Sequence, residues 1–211
     1  AAFTAGRFDG VFQFETPSAR RVCRGLKFQN FGHVAAMNAI NRPGTTTSGM
    51  YHEFVKRVND PSARQTIYCE KIDRITDDAA GVMCYQEHVS RILIEVAGFS
   101  PGDADTVRRK ISKSKGKEQI AKEAPAIREG CAKHTPEMSP EKVEALIDQM
   151  IDFGRYSFNK SHAVAYAIVS YWCMRLKIYH PLEFWAAMLS CENDKKDAAQ
   201  HVRAALRDGV R

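Results

Sequence analysis

Apolar residues recur every three or four positions along most of the chain, the period of helices that each bury one stripe. In "TPSARRVCRGL" this spacing predicts a helix with Thr16 as N-cap, Pro17 at the first helical position, and Val22 and Leu26 on the inner face. "FGHVAAMNAI" keeps the period until Arg42, Pro43 and Gly44 break it, and "GMYHEFVKRV" predicts a short amphipathic helix ended by Asn59, Asp60 and Pro61. Val89, Leu93 and Val96 share one face of "QEHVSRILIEVAG". Ser100-Pro101 opens the next helix, with Asp103 near the positive end of its dipole and Arg108 and Arg109 near the negative end. "SPEKVEALIDQMIDF" sets Val143, Leu146, Ile147, Met150 and Ile151 at helical spacing and stops at Gly154. From His162 to about Tyr179, with Ser161 as cap, the residues are apolar on every side, so this helix is expected to be enclosed by its neighbours. His180-Pro181 starts another helix, and Asp194 caps a last, polar one. Only "GVMCY" reads as a strand, and residues 58–81 read as an irregular hinge. The fold class is therefore mainly α, with one or two short strands, in one domain over residues 1–211.

Length and composition agree with that class and narrow the setting. At 211 residues and 44% hydrophobic, the chain is long enough to bury a core. Its longest apolar stretch, Ala163 to Met174, is interrupted by Ser170 and falls short of the roughly 20 residues that span a bilayer. No membrane partner is expected, and with no export signal at the start the expected location is cytoplasmic. The six cysteines (Cys23, Cys69, Cys84, Cys131, Cys173 and Cys191) stand singly, none in a CxxC or at zinc spacing from a histidine, which predicts reduced thiols and no metal site. The absence of a starting methionine suggests a processed product or a piece of something longer.

The charge changes the picture more than its total does. Between Arg108 and Lys133 lie nine Lys or Arg and three Glu, a balance equal to the net +6 of the whole chain. The densest part, "RRKISKSKGK", holds no acid and interleaves Ser112, Ser114 and Gly116 with the lysines. Such a run is either a solvated face or a backbone whose N–H groups and point charges receive phosphate. "SFNKSH", just ahead of the apolar helix, poses a similar choice. Asn159 and Ser161 serve as turn and capping residues, His162 as a helix-start histidine and Tyr166 as core, or the same helix mouth, with Lys160, faces an anion.

The order of marks favours the anion. "GVFQFET", "NRPGTTTSGM", "GVMCYQEHV", "AGFSPGDADTVRRKISKSK" and "FGRYSFNKSHAVAYAIVSYWCMRLKIYHPLEFWAAMLS" together resemble the fingers region of the bacterial family C replicative DNA polymerases, the polymerase III alpha subunits. The resemblance runs from about Val11 to Ser190. Thr45-Thr46 stand where the family usually has Pro-Leu, "KISKSK" follows the arginine pair, and His88 takes the place of a common glutamine. These departures mark a diverged member, with a phage as one expected source.

The resemblance implies a helical fingers domain of a DNA-directed DNA polymerase, a nucleotidyltransferase acting in DNA replication. Its implied partners are the incoming deoxynucleoside triphosphate, template-primer DNA, and a palm-containing remainder of the polymerase or a separate palm chain. That palm would hold Mg2+ on its aspartates. Its motif has no counterpart here, so no catalytic or metal-binding residue is assigned to this chain, which alone is expected to be inactive. The resemblance assigns the nucleotide to Arg108, Arg109, Asn159, Lys160, His162 and Tyr166, and the DNA to Lys113, Lys115, Lys117, Arg42 and Gln86. The other class left open is a non-catalytic helical nucleic-acid-binding protein that keeps the fold without the chemistry.

Overall fold

The computed structural model describes residues 2–42, 49–64, 68–110, 116–153 and 158–210. Among them are eleven α-helices: α1 (Pro17–Cys23), α2 (Phe31–Ile40), α3 (Met50–Asn59), α4 (Glu70–Thr76), α5 (Gln86–Glu95), α6 (Pro101–Lys110), α7 (Gly116–His134), α8 (Pro140–Phe153), α9 (Lys160–Tyr179), α10 (Pro181–Cys191) and α11 (Lys195–Arg207). Several begin where local chemistry dictates. The Thr16 side chain accepts from the Ala19 N–H, and Asp194 accepts from Lys196 and Asp197, so each cap satisfies donors a helix start leaves open. Proline occupies the start of α1 and α10, where its missing N–H costs nothing.

Contacts divide the chain into two units, Gly32–Ala163 and Ala1–Phe31 with Val164–Arg211. The first is built on paired helices, α4 with α5, α5 with α6 and α7 with α8. Their inward residues, among them Ile72, Ile75, Val89, Ile92, Leu93, Ile120, Ile127, Leu146 and Met150, form one core. Four of the cysteines are buried and none is bridged. In the second unit, α10 packs on α11, and Phe184 and Trp185 bury against Ala204 and Ala205. Phe3, Phe8, Phe14 and Phe28 close an aromatic cluster beside the N-terminal turns, with ring centroids 5.3–6.2 Å apart. No helix among the described residues is long and apolar enough to cross a membrane.

The structure departs from the sequence expectations at five points. Leu26 is buried but lies beyond α1, which ends at Cys23. "GVMCY" makes no strand: its one pairing is an isolated parallel bridge from Tyr85 to Phe158. The expected irregular stretch at 58–81 contains α4, whose Ile72 and Ile75 join the core, and single 3-10 turns at Pro61–Ala63 and Asp77–Ala79. The part of the basic segment from Gly116 onward is α7, whose buried Ile120, Ala124, Ile127 and Cys131 recur at helical spacing between charged residues. The apolar helix α9 is not enclosed. Trp172 and Tyr179 are 58% and 67% exposed, whereas the polar Ser170 and Lys177 are at 0% and 3%. Ser170 Oγ donates to a carbonyl, with those of Phe12 and Tyr166 at 2.9 and 3.0 Å, and Lys177 Nζ donates to those of Arg7 and Asp9. Backbone acceptors thus draw the polar side chains in and turn ring-bearing ones out.

One buried histidine ties the first unit to pH. His33 on α2 packs edge-on to Phe54, and the Arg64 guanidinium lies 3.5 Å from its Nε2. Burial and the neighbouring Arg64 push its imidazole down to about 4, against an ordinary value near 6.5. The stabilisation that comes with this neutral imidazole is complete above the unfolded value of about 6.5 and is lost as pH falls toward 4, because the unfolded chain takes up the proton first. Thermal unfolding from pH 7 to pH 4 should show a loss on the order of 1–2 kcal/mol after allowance for solvent screening. His33→Gln should flatten that slope, and an equal slope in both proteins would remove His33 as its source.

Candidate functional site

The mouth of α9 is fixed by the segment that starts α5. Gln86 donates its backbone N–H to the Phe158 carbonyl at 2.9 Å, completing the bridge between the two segments. Next along the chain, the Glu87 carboxylate accepts from Asn159 Nδ2 at 3.0 Å and from the Lys160 backbone N–H at 2.9 Å. Asn159 Oδ1 in turn accepts from the His162 N–H at 2.9 Å. Asn159, rather than Ser161, is therefore the capping side chain: α9 begins two residues earlier than the apolar run suggests, and the Ser161 hydroxyl donates to the same Asn159 oxygen. A charged acceptor against an open helix N–H also matches the dipole of α9.

Lys160 is the charged residue at this mouth. Its Nζ lies 2.6 Å from Asp78 Oδ2, and the other oxygen of Asp78 lies 3.0 Å from His88 Nε2. Burial pushes the Asp78 carboxyl up, but the hydrogen bonds and charges of His88 and Lys160 outweigh it and hold the group at about 2. His88 is buried, and burial lowers its imidazole against the opposing pull of Asp78. A neutral His88 with Nε2–H facing Asp78 fits both. The Lys160 ammonium also lies 5.8 Å from the centre of the Tyr85 ring.

Arg108 reaches the same segment from α6. Its Nη1 donates to Gln86 Oε1 at 3.3 Å, while Nε and Nη2 donate to Asp105 Oδ1 at 2.9 and 2.7 Å. Arg109 Nε donates to the other oxygen of Asp105 at 2.6 Å. One carboxylate thus holds two guanidinium groups at the C-terminal end of α6 in solvent-screened pairs, and a polyanion would displace it at small cost. Arg42 lies with its guanidinium 4.4 Å from the centre of the Phe158 ring.

The structure therefore brings Arg108, Asn159, Lys160 and Gln86 into one connected set, with Arg42 beside it on Phe158. Gln86, expected to face DNA, is instead buried as a support for Arg108. His162 is exposed on the first turn of α9, its ring 5.5 Å from that of Phe158. Tyr166 belongs to the other unit and packs its ring on Phe12 at 5.1 Å. Lys113 and Lys115 lie outside the described residues, as does the side chain of Lys117. Sequence reasoning missed Asp78, His88 and Asp105 as members of the set and left Glu87, beside Gln86, without a role. Only Asp105 left a signal, three and four residues ahead of the arginines on one helix. Among the described residues, no three His, Cys, Asp or Glu side chains converge as a metal site.

Comparison with known proteins bears on this arrangement. Residues 1–135 match the family described as the bacterial DNA polymerase III alpha subunit finger domain. The chain is 34% identical over 192 residues to the DNA polymerase III subunit alpha of Aquifex aeolicus, covering 90% of this chain and 16% of that protein. It is 38% identical over 196 residues to the subunit alpha of Xylella fastidiosa, covering 92% and 16%, and 32% identical over 206 residues to that of Saccharopolyspora erythraea, covering 96% and 17%. The chain thus spans about a sixth of the length of these relatives. Its helical architecture and its motifs agree with the match, and the chain belongs to the finger-domain family of the bacterial DNA polymerase III alpha subunits.

Proposed function

We propose that this chain is the fingers part of a DNA-directed DNA polymerase and that Lys160, Arg108 and Arg109 receive the triphosphate of the incoming deoxynucleotide. The observation that supports the reading most is the anchoring of Lys160. Its backbone is clamped by Glu87 at the start of a 20-residue helix, and its segment is bridged to the one that carries Gln86, the partner of Arg108. Transfer of a nucleotidyl group asks the protein mainly for positioning and for compensation of a polyanionic leaving group. An ammonium at a helix start supplies a point charge beside backbone dipoles, and paired guanidinium groups supply bidentate contacts. His162 stands one turn into the same helix as a further donor.

On this reading the template-primer lies along Arg42 and the lysines at 113, 115 and 117. Mg2+, when bound, would neutralise charge on the phosphates from a palm outside these 211 residues, and no residue of this chain is assigned to it. The chain alone is then inactive in nucleotide incorporation. The test is Lys160→Ala and Arg109→Ala in a polymerase assembled with this chain. Each should lower kcat/KM for nucleotide use about ten- to a hundredfold, the loss of one charge-assisted phosphate contact of about 1.5–3 kcal/mol, with DNA affinity changed far less. Unchanged kinetics in both variants would remove these residues from the site. A parallel loss of DNA affinity would favour plain nucleic-acid binding.

A further inference from the structure

The pairing of Lys160 with Asp78 raises a question that the triphosphate reading leaves open: why a residue meant for phosphate is already held by a carboxylate. Asp78 does not belong to the mouth of α9. It comes from the 3-10 turn at Asp77–Ala79, and it is built in on its far side by His88 from α5. The two oxygens of the carboxylate thus have separate tasks, Oδ1 facing His88 Nε2 at 3.0 Å and Oδ2 facing the Lys160 ammonium at 2.6 Å. His88 is almost fully buried, and its Nδ1 has no hydrogen-bond partner. A histidine that leaves one ring nitrogen unsatisfied inside the protein costs stability, so its place is explained by what Nε2 does to Asp78 rather than by local comfort. The Lys160 end of the pair is accessible to solvent, with about a third of each side chain exposed.

We infer that Asp78, braced by His88, is a positioning residue that latches Lys160 at the mouth of α9 and is displaced from it by a triphosphate. The inference rests on the proposed role of Lys160. The latch has a chemical consequence. An anion must outcompete a fixed carboxylate for the ammonium, and Asp78 keeps its own negative charge beside any phosphate that succeeds. A triphosphate, carrying several charges and reaching Arg108 and Arg109 as well, meets that threshold. Inorganic phosphate does not. Asp78 therefore contributes discrimination between triphosphates and small anions rather than affinity. Because its carboxyl sits at about 2, the latch stays charged across the working pH range.

The test compares the chain with Asp78→Asn, which keeps an oxygen for His88 and removes the charge that holds Lys160. Binding of dATP, inorganic triphosphate and inorganic phosphate is measured by calorimetry, and the Lys160 ammonium is followed by 15N NMR. Asp78→Asn should tighten dATP about three- to tenfold and inorganic phosphate by at least as much, with Asp78→Glu restoring weaker binding. In the unsubstituted chain, dATP should shift the Lys160 ammonium signal, and Asp78→Asn should produce faster exchange of that signal without ligand. In a Lys160→Ala background the effect of Asp78→Asn should shrink by about half or more. Unchanged or weaker dATP binding in a folded Asp78→Asn protein would overturn the latch while leaving Lys160 in the site. An unchanged dATP affinity in Lys160→Ala alone would instead overturn the triphosphate reading and the latch with it. If Asp78→Asn unfolds the chain, the NMR response of Lys160 to dATP decides, and a signal that dATP does not move overturns the latch.

Discussion

Asp208→Ala should destabilise the unit formed by the two ends of the chain by about 3–5 kcal/mol. The reason lies in Lys177, an ammonium almost wholly buried on α9. Its Nζ donates to the carbonyls of Arg7 and Asp9 at 3.1 and 2.8 Å, which satisfies its hydrogen bonds but not its charge. Asp208 Oδ2, 3.4 Å away, supplies the opposite charge and also accepts from Trp185 Nε1 at 3.0 Å, while Oδ1 accepts from Arg7 at 2.5 Å. Removing the carboxylate leaves the buried cation with only the Asp9 carboxylate as an opposing charge and an indole N–H without its acceptor. Burial already lowers the Lys177 ammonium from its ordinary value, opposed by Asp208; without Asp208 it falls further. The variant's deficit should therefore narrow as pH rises, since a lysine that sheds its proton no longer needs the partner. Asp208→Asn, which keeps an acceptor for Trp185, should cost less than Ala. Both tryptophans, Trp172 and Trp185, lie in this unit, so urea unfolding followed by tryptophan fluorescence reports on it alone. A cost under about 1 kcal/mol, or one that does not vary with pH, would mean that water, not Asp208, balances Lys177.

That network also marks where sequence reading reaches its limit. The apolar pattern predicts that neighbours enclose α9 on every side, whereas the structure exposes Trp172 and Tyr179 and buries Lys177. A side chain's burial is decided by what faces it, and the carbonyls at Arg7, Asp9 and Phe12 that draw in Lys177 and Ser170 come from more than 150 residues away in sequence. What was legible is local. Thr16 and Asp194 cap the helices predicted from them, and the Pro-led starts at Pro17 and Pro181 stand where spacing puts them. α7 escaped because lysines and Pro125 mask its apolar stripe; an interior proline removes a ladder bond and crowds the carbonyl four residues back, a cost that burial of the apolar face offsets.

The candidate site divides the same way. Lys160, Arg108 and Arg109 stood out by charge type and by their place at helix ends, both properties of the sequence. Asp105 was within reach through helical spacing. Asp78 and Glu87 were not, because Asp78 meets Lys160 across 82 positions and Glu87 meets Asn159 across 72, with no local pattern linking them. His88 was noticed only as a departure from the family's glutamine. Its contact with Asp78 gives that departure a physical content: an imidazole Nε2–H in place of an amide donor.

Gly130→Ala tests the packing that holds the first unit together, and the magnitudes decide its sign. Alanine is a better helix former than glycine by about 1 kcal/mol, so at an open position of α7 the substitution would stabilise. At Gly130, however, a Cβ would lie 1.9 Å from the Ala97 carbonyl oxygen and 2.8 Å from its carbon, far inside contact distance. The obstacle is backbone, and it is held. The Ala97 N–H donates to the Ile92 carbonyl, the Phe99 N–H to that of Leu93, and Thr135 Oγ1 to that of Val96, while Gly98 closes the end of α5 with a φ of +70°. Relief requires α7 to move off that turn, which would loosen Ile127 and Cys131 from a core with no room to absorb the shift. Overpacking costs typically about 1–3 kcal/mol, and here, where backbone must yield, it falls at the upper end and overrides the gain in propensity. Gly102→Ala provides the contrast, because a Cβ on that residue of α6 meets only Ser100 Oγ at 3.8 Å and the backbone is already helical. Urea unfolding followed by circular dichroism should place Gly130→Ala well below the unsubstituted chain and Gly102→Ala level with it or a few tenths of a kcal/mol above. If both variants rise together, the approach of α7 to Ala97 is looser than the structure has it.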